Sequence, residues 1–264
     1  IDPIGTVTIN EADDVNIAAA FTSATFNQAV AGVGTFNLDA LLTADTGTVT
    51  INSNEVDLDG SIRTSGNAQA ITITGGAGGI DLAADETITS TPAIDGQNGG
   101  AITITANEGA MNLDGDLVSS GANNAAGAGG NAGAIQLTGT GAATITVDGL
   151  ITSTGGTGAA GFDGGNGGTV DFDTANQQIV LESTTINTAG GTGDTQGDGG
   201  TVTFAAGDPV FLSAGPTVIT TGATLGDINF LGTVDGTQDL TLTAGTGNIL
   251  FDGVVGAAPE LAGR

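Results

Sequence analysis

A four-residue pattern of alternating aliphatic and polar side chains recurs along the whole chain, and it constrains the fold more than any other feature. It reads Val7-Thr-Ile-Asn10, Val49-Thr-Ile-Asn52, Ile71-Thr-Ile-Thr74, Ile102-Thr-Ile-Thr105 and Ile135-Gln-Leu-Thr138. It continues as Val170-Asp-Phe-Asp173, Val202-Thr-Phe-Ala205, Ile228-Asn-Phe-Leu231 and Ile249-Leu-Phe-Asp252, with Phe26-Asn-Gln-Ala29 as a degenerate member. The first residues of successive copies lie 19 to 35 residues apart. Self-similarity at such periods marks a stack of small units, each unable to bury its own apolar face. The shortest spacing, near 20 residues, is one turn of a parallel β-solenoid.

Two further strand segments follow within each turn. The second reads Val56-Asp-Leu-Asp-Gly60, Met111-Asn-Leu-Asp-Gly115, Ile145-Thr-Val-Asp-Gly149 and Ile179-Val-Leu-Glu182; the third reads Thr87-Ile-Thr-Ser90, Leu117-Val-Ser-Ser120 and Leu150-Ile-Thr-Ser153. Alternation with a period of two puts aliphatics on one face and Thr, Asn and Asp on the other. Gly, Thr, Val and Ile dominate, which disfavours helix. The spacing predicts one all-β domain over residues 1–264: about nine turns, three short strands per turn, and a narrow aliphatic column inside. The longer turns carry their extra residues after the third strand, in Gly/Asn/Ala-rich stretches at 95–100, 121–133, 155–168 and 190–200. These are expected to lie on one edge, as flexible loops or as a lateral ridge for contact.

Composition removes whole classes of function. Two arginines, Arg63 and Arg264, face 29 carboxylates, for a net charge of -27. Such a chain repels phosphate backbones, so capture of nucleic acid is not expected. With no Cys and no His there is no zinc finger, iron–sulfur cluster, disulfide framework or thiol or imidazole nucleophile. Neither is there a Lys for Schiff-base or P-loop chemistry. No run approaches the roughly 18 apolar residues of a membrane helix. The opening IDPIGTVTIN lacks the basic and apolar regions of a signal peptide, so one has been removed or the chain is part of something longer.

The chain resembles large bacterial surface proteins of the filamentous-haemagglutinin and β-strand-repeat kind. The resemblance rests on Gly99-Gly-Ala-Ile-Thr-Ile-Thr-Ala106, Met111-Asn-Leu-Asp-Gly115, Leu117-Val-Ser-Ser-Gly121 and the stretch from Val234 to Gly253. It implies a right-handed parallel β-helix passenger, an extracellular or cell-surface location, and a role in adhesion, filaments or biofilm matrix. Partners implied are further copies or a continuing chain joined head to tail, and surface or matrix glycans.

No constellation points to catalysis, and the chain is read as a non-enzyme. Carboxylate pairs can cleave glycosidic bonds, but there is no Trp or Tyr to stack a sugar. A G-G-x-G-x-D calcium roll is only approximated at 75–81 and 164–171, where Asp81 and Asp171 fall late. The one candidate metal site comes from register: Asp114, Asp148 and Glu182 should stack on consecutive turns. Hard oxygen ligands suit Ca²⁺, which opens an alternative reading as a Ca²⁺-dependent carbohydrate- or surface-binding module. The outward column Thr50, Thr72, Thr103, Gln136, Asp171, Thr203 and Asn229 is too interrupted by charge and amides for an ice-binding ladder.

Overall fold

The computed structural model describes residues 4–10, 12–28 and 33–256. All its strands are paired in parallel, and they form a right-handed parallel β-helix. Three ladders run its length. On the first face the register is Val7, Phe26, Val49, Ile71, Ile102, Ile135, Val170, Val202, Ile228 and Ile249. The second aligns Val15, Phe36, Val56, Ile80, Met111, Ile145, Ile179, Val210 and Val234, closing with a bridge to Val255. The third aligns Phe21, Leu42, Ile62, Ile88, Leu117, Ile151, Ile186, Ile219 and Leu242.

Every member of the repeated signature therefore sits in one ladder, the degenerate Phe26 included; Ala29 lies outside the described residues. Strands Val15–Ile17, Thr35–Leu38 and Leu42–Ala44 complete the first turns, where the aliphatic pattern is too weak to read from sequence. Strands Val49–Leu58 and Ile71–Leu82 pass from the first face to the second without a break in pairing, apart from a register shift between Ser53 and Glu55.

Inward positions of the three faces meet in a single column that is fully buried through most of its length, Ile51, Ile73, Ile104 and Leu137 among them. One file of that column turns aromatic. Phe172, Phe204, Phe230 and Phe251 stack face to face, with centroids 4.7, 4.7 and 5.0 Å apart and planes within 11° of parallel. The spacing is that of neighbouring strands, about 4.8 Å, so backbone pairing sets the ring offset.

A second file holds hydroxyls. Ser119, Ser153, Thr188 and Thr221 are buried at the ends of third-face strands. They donate to the carbonyls of Gly100, Gly133, Gly200 and Gly226 at 2.6, 2.6, 2.6 and 2.7 Å. The Thr188 and Thr221 bonds close the base of the excursion that follows each, while those of Ser119 and Ser153 reach the glycine that ends the preceding excursion and so tie one turn to the next. Among the described residues no helix is long and apolar enough to cross a membrane.

Candidate functional site

Three surfaces stand out from this frame. The first is the Gly-rich edge, which is ordered by its own backbone and is no flexible loop. In the excursion at 155–168 the outgoing limb sends Gly155 N–H and Gly158 N–H up to Ala189 O and Thr192 O in the next turn. Gly156 N–H donates sideways to Gly130 O, and Thr157 N–H donates down to Asn123 Oδ1 at 2.7 Å. The returning limb repeats the scheme. Gly164 and Gly167 donate up to Thr195 O and Asp198 O, Gly165 across to Gly156 O, and Asn166 down to Asn131 Oδ1 at 2.8 Å.

Directions that recur every third residue are those of polyproline II geometry, with three residues per turn. Two rows of such limbs, outgoing and returning, interlock into a fin along one side of the rod. At Gly130, Gly156, Gly165, Gly191 and Gly197 an added Cβ would overlap a backbone carbonyl of a neighbouring limb. The fin is glycine-rich because nothing larger fits between its rows. Its outer margin carries an asparagine ladder: Asn67, Asn98, Asn131 and Asn166 each accept a backbone N–H from the next turn at 2.8–2.9 Å. Phe162, 46% exposed, sits in the longest excursion, and no repeat of the strand signature marks it in the sequence.

The second surface is the acidic second face. Asp57 and Asp81 face each other across adjacent turns. The residues after Leu113 and Val147 carry Asp114 and Asp148 into consecutive turns, as the sequence expectation required. The next turn brings Glu182, whose Oε1 accepts the Ser213 hydroxyl at 2.8 Å. Burial pushes the Asp148 carboxyl up from the ordinary value of 3.8, and the charges of Asp114 and Glu182 push it further. The three proposed ligands are thus neighbours in an electrostatic ladder. Among the described residues no three acidic side chains converge as a cage for one ion.

The ladder extends beyond them. Asp57 is raised by burial and then by Asp59, Asp81, Glu55 and Asp39. Asp81 is raised by burial and by Asp114 and Asp59, against a lowering hydrogen bond from Asn112. Because protonation of these three carboxyls is favoured by folding, their contribution to stability is fully present below the unfolded value of 3.8 and is lost as pH rises through the folded values. The thermal midpoint at fixed ionic strength is therefore expected to rise from pH 7 towards pH 4. The triple variant Asp57→Asn, Asp81→Asn, Asp148→Asn should flatten that rise. Equal pH dependence in the variant and the parent would show that the stabilisation comes from elsewhere.

The third surface is the terminal turn. Among the described residues, strand Ile249–Phe251 is paired on one side only, to Ile228–Phe230, and its side chains are 43%, 44% and 39% exposed. The adjoining Val254 and Val255 are exposed too. Large apolar groups at an unpaired strand edge form a template for another strand. The mouth of the aromatic file, Phe251, opens on the same surface.

The haemagglutinin-like resemblance thus holds at the level of the all-parallel solenoid, while comparison with protein-family models, curated proteins and solved structures yields no match to this chain.

Proposed function

We propose that this chain is a structural, non-catalytic β-solenoid of a bacterial cell surface, filament or extracellular matrix, and that it joins others end to end. The observation that carries this reading is the all-parallel stack of turns, whose strand Ile249–Phe251 is, among the described residues, unpaired on its outer edge and apolar along its length. A solenoid adds turns by the same contacts that hold its existing turns, so an open turn binds whatever continues the ladder. Axial contacts of this kind are heterologous and do not close, which produces rods and fibres. The flanks carry the net charge of -27, and mutual repulsion there favours axial over lateral growth. The extracellular location and adhesive role rest on the resemblance carried by the repeats.

Electron micrographs and light scattering of the purified chain test the reading. Nine inter-turn steps of about 4.8 Å give a subunit rod about 43 Å long. Particle length is expected to grow with protein concentration in steps near that value. A single monomeric species at all concentrations would overturn it. The second reading, a Ca²⁺-dependent carbohydrate- or surface-binding module, draws on the Asp114–Asp148–Glu182 ladder, where an ion would bridge neighbouring turns. Adding calcium to the same samples at matched ionic strength separates the two, because only the second requires calcium for its contacts.

A further inference from the structure

We infer that Asn98 and Asn166 are latent deamidation sites, which the interlocked fin holds unreactive and which convert only where a limb of the fin comes loose. The inference is independent of how copies of the chain assemble.

Asn98-Gly99 and Asn166-Gly167 are the only two Asn-Gly pairs in the sequence. In a free chain this pair is the most labile setting for an asparagine, because glycine has no Cβ to hinder attack by its own backbone nitrogen. The glycine nitrogen bonds to the asparagine Cγ, the side-chain amide leaves as ammonia, and a succinimide ring remains. Water then opens that ring at either carbonyl, giving aspartate or isoaspartate. Nothing but water is consumed, and both asparagines are exposed to it. Packing forbids the ordinary defence of a bulkier following residue. A Cβ on Gly99 would strike the Ser120 carbonyl, and one on Gly167 the Thr188 carbonyl. The fin thus requires glycine at the two places where glycine makes asparagine fragile.

The asparagine ladder supplies the protection. Asn98 Oδ1 accepts the Asn131 N–H at 2.8 Å, and the Gly99 N–H donates to the Asn131 carbonyl at 2.9 Å. Electrophile and nucleophile of the ring closure are therefore both tied to one residue of the next turn. Asn166-Gly167 repeats the clamp around Asp198. The Asp198 N–H donates to Asn166 Oδ1 at 2.9 Å, and the Gly167 N–H donates to the Asp198 carbonyl at 2.8 Å. To close the ring, the glycine nitrogen must give up its proton and turn from that carbonyl, while the asparagine side chain rotates off the N–H. Both inter-turn bonds must break first. Asn67-Ala68 and Asn131-Ala132 are clamped in the same way onto Asn98 and Asn166, and an alanine methyl hinders attack there as well. Conversion to aspartate keeps an acceptor on the rung, as Asp227 Oδ1 does for the Asn248 N–H at 2.7 Å. Isoaspartate instead adds a carbon to the backbone and shifts the rest of the limb out of register.

Peptide mapping by mass spectrometry, after prolonged incubation at mildly alkaline pH, measures conversion at each asparagine. Amide exchange measures opening at Gly99 and Gly167 under the same conditions. In denaturant Asn98 and Asn166 are expected to convert ahead of Asn67 and Asn131. In the folded chain both should convert more slowly by about tenfold or more, the scale set by two hydrogen bonds that open together. The variant Gly165→Ala perturbs the limb beside Asn166, and conversion there should rise in step with exchange of the Gly167 amide. Where that amide stays protected, Asn166 should stay intact. Folded-chain conversion at the denatured rate would overturn the inference. So would a freely exchanging Gly167 amide beside an intact Asn166, or conversion of Asn166 while that amide remains protected.

Discussion

Replacing Ile104 with aspartate is expected to cost about 4 kcal/mol or more, the range of a charge buried without a partner. Ile104 is fully buried, and its register partners Ile73 and Leu137 lie directly below and above it in the column. The column is one side chain deep from each face, so the carboxylate cannot turn to water without breaking the first-face ladder. Neutralising it by protonation would still leave an unsatisfied hydroxyl among aliphatics. The neighbouring change Thr103→Asp is the internal control. Thr103 points outward between Thr72 and Gln136, and surface changes of this kind stay within about 0.5 kcal/mol. Chemical denaturation of both variants checks the prediction. An unchanged midpoint for Ile104→Asp, or an equal loss for Thr103→Asp, would mean that the inward and outward sets are misassigned.

That contrast also shows how much of the molecule could be read before its structure. A period of two needs only a single strand to declare itself, so the inward Ile104 and outward Thr103 were legible from Ile102-Thr-Ile-Thr105 alone. The acid ladder was legible for the same reason, since Asp114, Asp148 and Glu182 each follow an aligned inward aliphatic. The turns at 15–17, 35–38 and 42–44 were not legible, because Val15-Asn-Ile17 and Leu42-Thr-Ala44 are three-residue strands whose partners alone identify them. The buried hydroxyl file was present in the sequence as the Ser or Thr closing most third strands, with Ala44 and Ala244 in the same place near the two ends. Its role became clear only when the carbonyls of Gly100, Gly133 and Gly200 were seen beneath it. The fin was misjudged by half. Its place on one edge followed from the repeat lengths. Its order did not, because glycine reads locally as freedom and the interlocking of limbs from different turns leaves no side-chain pattern.

The fin makes the second large prediction, and glycine is again the test. Gly165 lies at the centre of the network: its N–H donates to Gly156 O at 2.9 Å, and its carbonyl accepts Gly191 N–H at 2.8 Å. A Cβ on Gly165 would strike the Gly130 carbonyl, and the carbonyl of Gly165 fills the space where a Cβ on Gly155 or Gly197 would go. Gly165→Ala is therefore expected to separate the two rows at a cost of about 3 kcal/mol, the upper end for overpacking where only backbone can yield. Gly161, in the same excursion, provides the comparison. Its φ is +80°, yet nothing lies within 4 Å of its Cβ position, so Gly161→Ala carries only the strain of a left-handed alanine, about 1 kcal/mol. Because solenoids open locally, amide exchange reads the difference better than a melting curve. In Gly165→Ala the amides of Gly156, Gly165 and Gly191 should lose protection while those of the Ile102–Asn107 strand keep theirs. In Gly161→Ala both sets should stay protected. Equal protection at Gly156 and Gly191 in the two variants would mean that the limbs do not pack as a unit, and that the edge is a set of separate loops after all.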